Sequence, residues 1–401
     1  MFILKKIWCR AFQATFRAAL PFLPYREPAI LPTVERIPDA LAKRGANMPL
    51  IVTSAGSAQR GQLAPILMAL EGAGLAYAVY DTVLPNPTVE NVEDALAAYL
   101  AQGCDSLIAI GGGSALDCAK AVGARAVYPG KPLGRLAGVM RVRRRLPTLI
   151  AIPTTAGTGS EVTLAAVITD SATQHKYAMM SFPLIPHYAV LDPALTATMP
   201  PQLTATTGMD ALTHAVEAYI GRSTTKKTRQ YSIHATVRIF ENLQKAYMDG
   251  ADLSAREGML RAAYEAGVAF SMSYVGYVHA IAHSLGGRYG TPHGLANAVI
   301  LPYVLEGYGA AAHKRLHRLG NAVGVSDEVD SHEVGAKKFI AAVRAMNAAM
   351  GIPETIPEIL TADIPALAAH AEHEANPLYP VPRLMTANEL AVFYHRIAGR
   401  V

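Results

Sequence analysis

Ser106-Leu107-Ile108-Ala109-Ile110-Gly111-Gly112-Gly113-Ser114 is the stretch that decides the fold. A short apolar run of strand length turns through three glycines into a helical stretch that includes Asp117 and Lys120. Glycine lets the backbone approach a ligand closely, and the free amides at a helix start attract an anion. The pyrophosphate of a dinucleotide fits such a cradle, and so does a plain tight turn when the glycines are taken alone. The order strand, glycines, helix favours the cradle, although it departs from the common Gly-x-Gly-x-x-Gly pattern.

The neighbouring sequence repeats the alternation. Leu50–Thr53 reads as a strand, 61–72 as a helix, Ala76–Tyr80 as a strand and 89–102 as a helix. Thr148–Ile152 is a further strand that ends in Pro153-Thr154-Thr155-Ala156-Gly157-Thr158-Gly159-Ser160-Glu161, a second turn rich in hydroxyls and glycine. Strands separated by helices of this length predict a mostly parallel sheet covered on both faces, with ligands at the carboxyl ends of its strands. After Pro200-Pro201 the period becomes helical throughout. The expected organisation is an extension over 1–25, a dinucleotide-binding α/β domain over 26–200 and an all-helical metal-binding domain over 201–401.

The helical half carries the second signal. Asp210 and His214 stand four residues apart and leave the same helix face, and His279 and His283 repeat that spacing before His293 follows a Gly-rich turn. One carboxylate and several imidazoles without a nearby cysteine describe an open site for a divalent metal. These donors suit zinc and iron alike. His175, His187, His234, His370 and His373 are expected to be surface or core residues. Glu217, three residues after His214, is expected on a solvated helix face, with support of a metal-binding side chain as the alternative.

Composition excludes other classes. The 401 residues are 51% apolar and 17% charged, with net charge +5, which fits a compact enzyme rather than a nucleic-acid binder. Arg141-Val142-Arg143-Arg144-Arg145 is the one basic run, read as a solvated loop. Three scattered cysteines suit a reducing cytoplasm, and no apolar run is long enough to span a bilayer. In residues 1–25, Lys5, Lys6, Arg10 and Arg17 alternate with Ile3, Leu4, Ile7, Trp8, Phe12, Phe16 and Leu20. This basic amphipathic helix is expected to pack its apolar stripe on its own chain or a second subunit, with weak contact to a membrane surface as the alternative.

Taken together, Pro85-Asn86-Pro87-Thr88, Gly111 to Lys120, Pro153 to Thr163, Thr207 to His214 and His279 to Asn297 resemble the iron-containing (group III) alcohol dehydrogenases, over nearly the whole chain after the first 25 residues. The resemblance implies a dehydroquinate synthase-like architecture with a metal in the cleft between the domains. It implies Asp210, His214, His279 and His293 as ligands of Fe²⁺, zinc or another divalent ion. His283 would lie near substrate and nicotinamide as a proton relay or positioning group. It also implies Asn86, Gly112, Gly113, Ser114, Thr154, Thr155, Thr158 and Lys176 at NAD or NADP; Asp117, in the helix after the glycines, is added as a further candidate contact. Homodimers are common among such enzymes.

One departure concerns the cofactor. Many members carry Asp where this chain has Ser54, and a carboxylate there holds the ribose hydroxyls and repels a 2′-phosphate. Ser54, with Ser57 and Arg60 close in sequence, leaves NADP open. The expected reaction is hydride transfer between a primary alcohol or aldehyde and NAD(P), with Tyr274 and Tyr277 near the substrate. A lyase resembling dehydroquinate synthase and a non-enzymatic nucleotide- and metal-binding scaffold are the rival readings.

Overall fold

The computed structural model describes residues 2–171 and 175–400, without the side chains of residues 2, 3 and 175, so Ile3 of the amphipathic stripe and the His175 ring lie outside it. The chain divides into two compact units, Pro24–Met199 and the remainder, Met1–Leu23 with Pro200–Val401.

The first unit is built on β1 (Ala29–Leu31), β2 (Pro49–Val52), β3 (Ala78–Tyr80), β4 (Ser106–Gly111), β5 (Gly138–Val139), β6 (Thr148–Pro153), β7 (Ala165–Asp170), β8 (His175–Met180) and β9 (Tyr188–Val190). Six of these form a parallel sheet in the order β1-β9-β6-β4-β2-β3. β2, β4 and β6 are buried along their whole length, which explains why they read as unbroken apolar runs. Alternate side chains feed two cores. Leu50, Val52, Leu107, Ala109, Leu149 and Ala151 pack with Val92, Leu96, Leu116 and Val122 from the helices Val89–Ala101 and Gly113–Val127. Ile51, Ile108, Ile110, Ile150 and Ile152 pack instead with Ile37, Leu41, Ile66 and Leu70.

β2 is followed by its neighbour β3 on one side, and the chain then crosses back to β4 on the other. The strand order therefore reverses between β2 and β4, and in open α/β sheets that point, at the carboxyl ends, is where ligands sit. It is the position of Ser54 and of Gly111–Ser114.

The helix expected over 61–72 runs over Ala64–Gly72, and a separate short helix, Ala55–Gln59, precedes it, the two parted at Gly61 by a left-handed φ of 71°. A second small sheet, β5-β8-β7, with β7 and β8 antiparallel, was not anticipated. It stands over Lys120, a fully buried lysine whose Nζ donates to Ser160 Oγ at 2.9 Å, Thr163 Oγ1 at 2.9 Å and Ala165 O at 2.7 Å. A lysine can be buried only when its donors are satisfied in this way.

The second unit is helical. Pro201–Ile220 is buried almost all round, and Tyr277–Tyr289 and His293–Tyr308 pack near it, separated by Gly290 in the left-handed region (φ 68°) and Pro292. The helix Phe2–Ala19 belongs to this unit. Arg10 donates to the carbonyls of Val381 and Pro382, and Gln13 donates to those of Pro377 and Tyr379.

Candidate metal centre and nucleotide cradle

Asp210, His214 and Glu217 sit at i, i+4 and i+7 of Pro201–Ile220 and so share one face. Tyr277–Tyr289 contributes His279 and His283, and His293 opens the last of the three helices. One ligand atom from each of Asp210, His214, His279 and His293 lies within 4.8 Å of the others. His293 Nε2 is 3.4 Å and His279 Nε2 3.8 Å from Asp210 Oδ1. The His214 ring stacks on His279 and, on its other side, on Phe270 at 4.1 Å between centroids.

Close backbone approach makes the cluster. A Cβ on Gly294 would stand 2.5 Å from the carbonyl oxygen of Thr206, so only glycine lets the helix bearing His293 reach the helix bearing Asp210. Asp210, His214 and His279 are buried, whereas the side chains of His293 and His283 are 41% and 42% exposed. The cluster is closed on one side and open on the other, as a site that admits substrate must be.

Glu217 corrects the expectation of a solvated helix face. It is 3% exposed, its Oε1 accepts from Val278 N at 2.8 Å, and its Oε2 accepts from Gly276 N at 2.8 Å. The same Oε2 lies 2.7 Å from His279 Nδ1. Burial raises the carboxyl to about 7 despite hydrogen bonds from Val278, Gly276 and His279, which hold it down. Burial, with His214, His293 and His283 close by, holds the pKa of His279 well below its ordinary value. A neutral His279 donating Nδ1–H to Glu217 presents the Nε2 lone pair to the cluster. That Nε2 is buried and has no hydrogen-bond partner, as an atom reserved for a cation would be. The donor set and this orphaned nitrogen fit a divalent metal.

Sequence reasoning also missed Asn297 and Glu374. Asn297 Nδ2 donates to Asp210 Oδ1 at 2.7 Å and lies 3.1 Å from His293 Nε2; being i+4 from His293 on one helix was the available signal. Glu374 Oε1 lies 2.6 Å from His283 Nδ1 and accepts from Tyr379 Oη at 2.8 Å. Burial opposes charge on His283, but Glu374 outweighs it and raises the pKa. Nothing in sequence links residues 91 apart, so Glu374 was not findable. Tyr277 is fully buried, with its hydroxyl bonded to Asn376 and to the Met385 carbonyl. It is a packing residue, and the expected place for it beside substrate is wrong. Tyr274 is half-buried and meets Phe16 edge-on at 5.0 Å.

In the sheet unit the two turns expected to hold a nucleotide lie together. Thr154 N donates to Gly111 O at 2.9 Å, and a Cβ on Gly113 would stand 3.1 Å from Thr158 Cγ2. A Cβ on Gly112 would meet Thr155 Cγ2 at 3.5 Å. Gly112 provides no side-chain cap for the helix Gly113–Val127, whose start is thereby open to an anion. Asn86, in the left-handed region (φ 57°), donates its N–H to Ser114 Oγ at 3.2 Å and accepts from Lys176 Nζ at 2.9 Å. Asp117 braces the second turn: its carboxylate accepts from Ser160 Oγ at 2.7 Å and from Val167 N at 2.9 Å. Ser54 caps Ala55–Gln59, and its Oγ is 3.3 Å from Ser57 Oγ, to which Arg60 donates at 3.4 Å.

The sequence matches two family models, "iron-containing alcohol dehydrogenase" over residues 32–193 and "Fe-containing alcohol dehydrogenase family, C-terminal" over 204–398. It is 38% identical to 1,3-propanediol dehydrogenase of Klebsiella pneumoniae, over 88% of this chain and 92% of that one. It is 36% identical to the NAD-dependent methanol dehydrogenase of Bacillus methanolicus, over 89% and 94%. A crystal structure of 1,3-propanediol oxidoreductase superimposes with a TM-score of 0.90 at 36% identity, over 93% of this chain and 99% of that one.

Proposed function

Since the chain belongs to the iron-containing alcohol dehydrogenase family and is an oxidoreductase of alcohols and aldehydes, we propose that it moves a hydride between a primary alcohol or aldehyde and NAD or NADP. Membership in a dehydrogenase family removes the lyase and scaffold readings. The observation that carries the site assignment is the convergence of Asp210, His214, His279 and His293 on one point, with the His279 Nε2 lone pair aimed at no protein partner.

These four residues hold one divalent ion, iron by family and zinc by chemistry equally well accommodated. When bound, such an ion supplies the positive charge that acidifies an alcohol hydroxyl and polarises an aldehyde carbonyl. Asp210 contributes one negative charge and the three neutral imidazoles none, so the protein leaves that positive charge incompletely neutralised. Glu217 and Asn297 fix the orientation of His279, Asp210 and His293. His283, held through Nδ1 by Glu374, keeps Nε2 as the atom that takes or gives a proton on the exposed side of the cluster.

Ser54, Asn86, Gly112, Gly113, Ser114, Asp117, Thr154, Thr155, Thr158 and Lys176 form the nucleotide site: glycine amides and threonine hydroxyls take the phosphates, and Asp117 braces their turn. The nicotinamide is the hydride carrier. Ser54, Ser57 and Arg60 offer hydroxyls and a guanidinium where a carboxylate would repel a 2′-phosphate, which favours use of NADP. The three unpaired thiols fit the cytoplasm. Among the described residues β1 pairs with β9 alone and exposes Ile30, an edge available to a homodimer.

The test is metal analysis together with steady-state kinetics on primary alcohols and aldehydes, using both cofactors. His279→Ala should lose both metal and turnover, and full activity in that variant would refute the ligand set. A kcat/KM favouring NAD by orders of magnitude would refute the reading of Ser54.

A further inference from the structure

The first helix, Phe2–Ala19, buries the face that its composition would not select. Turned inward are Cys9, Gln13 and, just past its end, Leu20, at 2%, 4% and 1% exposure, anchored by the carbonyl bonds of Arg10 and Gln13. Leu4 is 73%, Ile7 61%, Trp8 61% and Phe12 36% exposed. Of the stripe expected to pack against protein, Phe16 and Leu20 do so on this chain, whereas Leu4, Ile7, Trp8 and Phe12 do not.

Counted at 3.6 residues per turn, Ile7, Ala18, Ala11, Leu4, Thr15, Trp8, Ala19 and Phe12 occupy a continuous arc of roughly 140° in which Thr15 alone is polar. Lys6 and Arg17 flank that arc on one side; Arg10 beside them turns to the carbonyls of Val381 and Pro382, and Lys5 on the other side pairs with Glu372. No Asp or Glu occurs before Glu27. The helix also lies ahead of residue 32, outside the span matched by the family models.

We propose that this outward face docks the enzyme on an anionic lipid surface, with the helix lying in the plane of the interface. The apolar arc enters the acyl boundary while Lys6 and Arg17 meet phosphate headgroups, the arrangement that gives interfacial helices their affinity. No helix among the described residues is long and apolar enough to cross a membrane. A second copy is the weaker occupant, because two such faces packed antiparallel about a twofold axis set the Lys6 and Arg17 side of one helix beside that of the other.

Trp8 is the single tryptophan of the chain and sits within the arc, so its emission reports on this surface alone. The full-length, metal-loaded protein is mixed with vesicles of phosphatidylcholine alone or with phosphatidylglycerol added. Anionic vesicles should shift Trp8 emission to the blue and co-sediment the protein, and 0.5 M salt should weaken both. A Leu4→Ser, Ile7→Ser double variant should partition about tenfold less while oxidising alcohol normally. Absence of binding to either vesicle, or equal binding to both, overturns the proposal. So does a blue-shifted, protein-concentration-dependent emission without lipid that the double variant abolishes, which would assign the face to a second copy.

Discussion

Glu217→Gln should weaken metal binding by about 10- to 100-fold, although Glu217 is not itself a metal ligand. The substitution keeps one acceptor oxygen and turns the other into an NH₂ group. In the parent, Oε1 takes Val278 N and Oε2 takes both Gly276 N and His279 Nδ1, all within 2.8 Å. An amide therefore sets a donor against at least one buried donor. The unmade bond costs roughly 1–3 kcal/mol. If the unsatisfied group is the His279 ring, the imidazole loses the partner that fixes its tautomer and presents Nε2 to the cluster. A 10- to 100-fold loss corresponds to about 1.4–2.8 kcal/mol, so the hydrogen-bond cost and the affinity loss are of one size. The assay is competition of stripped protein with a chromogenic chelator, paired with thermal unfolding of the metal-free form. The metal-free variant should melt several degrees lower and metal should restore less of the difference than in the parent. Metal affinity within twofold of the parent would show that Glu217 does not hold His279 for the ion.

Gly294→Ala should destroy the cluster without touching a ligand, because its Cβ would meet the backbone oxygen of Thr206 at 2.5 Å, where neither helix can yield cheaply; retention of a full equivalent of metal would refute that account. Ser54→Asp should shift preference from NADP toward NAD by placing a negative charge where the 2′-phosphate is expected; unchanged cofactor ratios would separate Ser54 from the ribose. His187 gives a pH prediction: burial, then Arg26 and Arg44, push it down to about 3, and its Nδ1 accepts from Leu149 N at 3.1 Å. Its folded pKa lies below the unfolded one, so its contribution is complete above pH 6.5 and is lost as pH falls toward 3, on the order of 4 kcal/mol in full. Between pH 7.5 and 5 the raised carboxyls of Glu161 and Glu217 act in the opposite sense, so the reading is the difference: metal-free His187→Asn, which keeps an acceptor, should lose less urea stability over that range than the parent; an identical slope would assign it elsewhere.

The sheet was legible because β2, β4 and β6 are short apolar runs interrupted by helices, and burial on both faces leaves no other use for such runs. The four-residue spacing of Asp210 and His214, and of His279 and His283, was legible because helix geometry turns it into a shared face. The β7–β8 hairpin was not, since its burial alternates only partly and it covers Lys120, a residue whose burial depends on carbonyls and hydroxyls some forty residues away.

The sequence by itself determined a parallel α/β unit with a glycine turn at a strand end, a helical unit with a carboxylate-imidazole set, and the family that joins them. Local periodicity encodes the two units, and the quoted motifs carry the family resemblance. Tertiary structure decided that Glu217 is buried against His279, that Glu374 holds His283, that Tyr277 is core, and that the first helix shows its apolar side to solvent. Each of these depends on which distant backbone donors and acceptors surround a side chain. A sequence period fixes which residues share a face, and only packing fixes what that face meets.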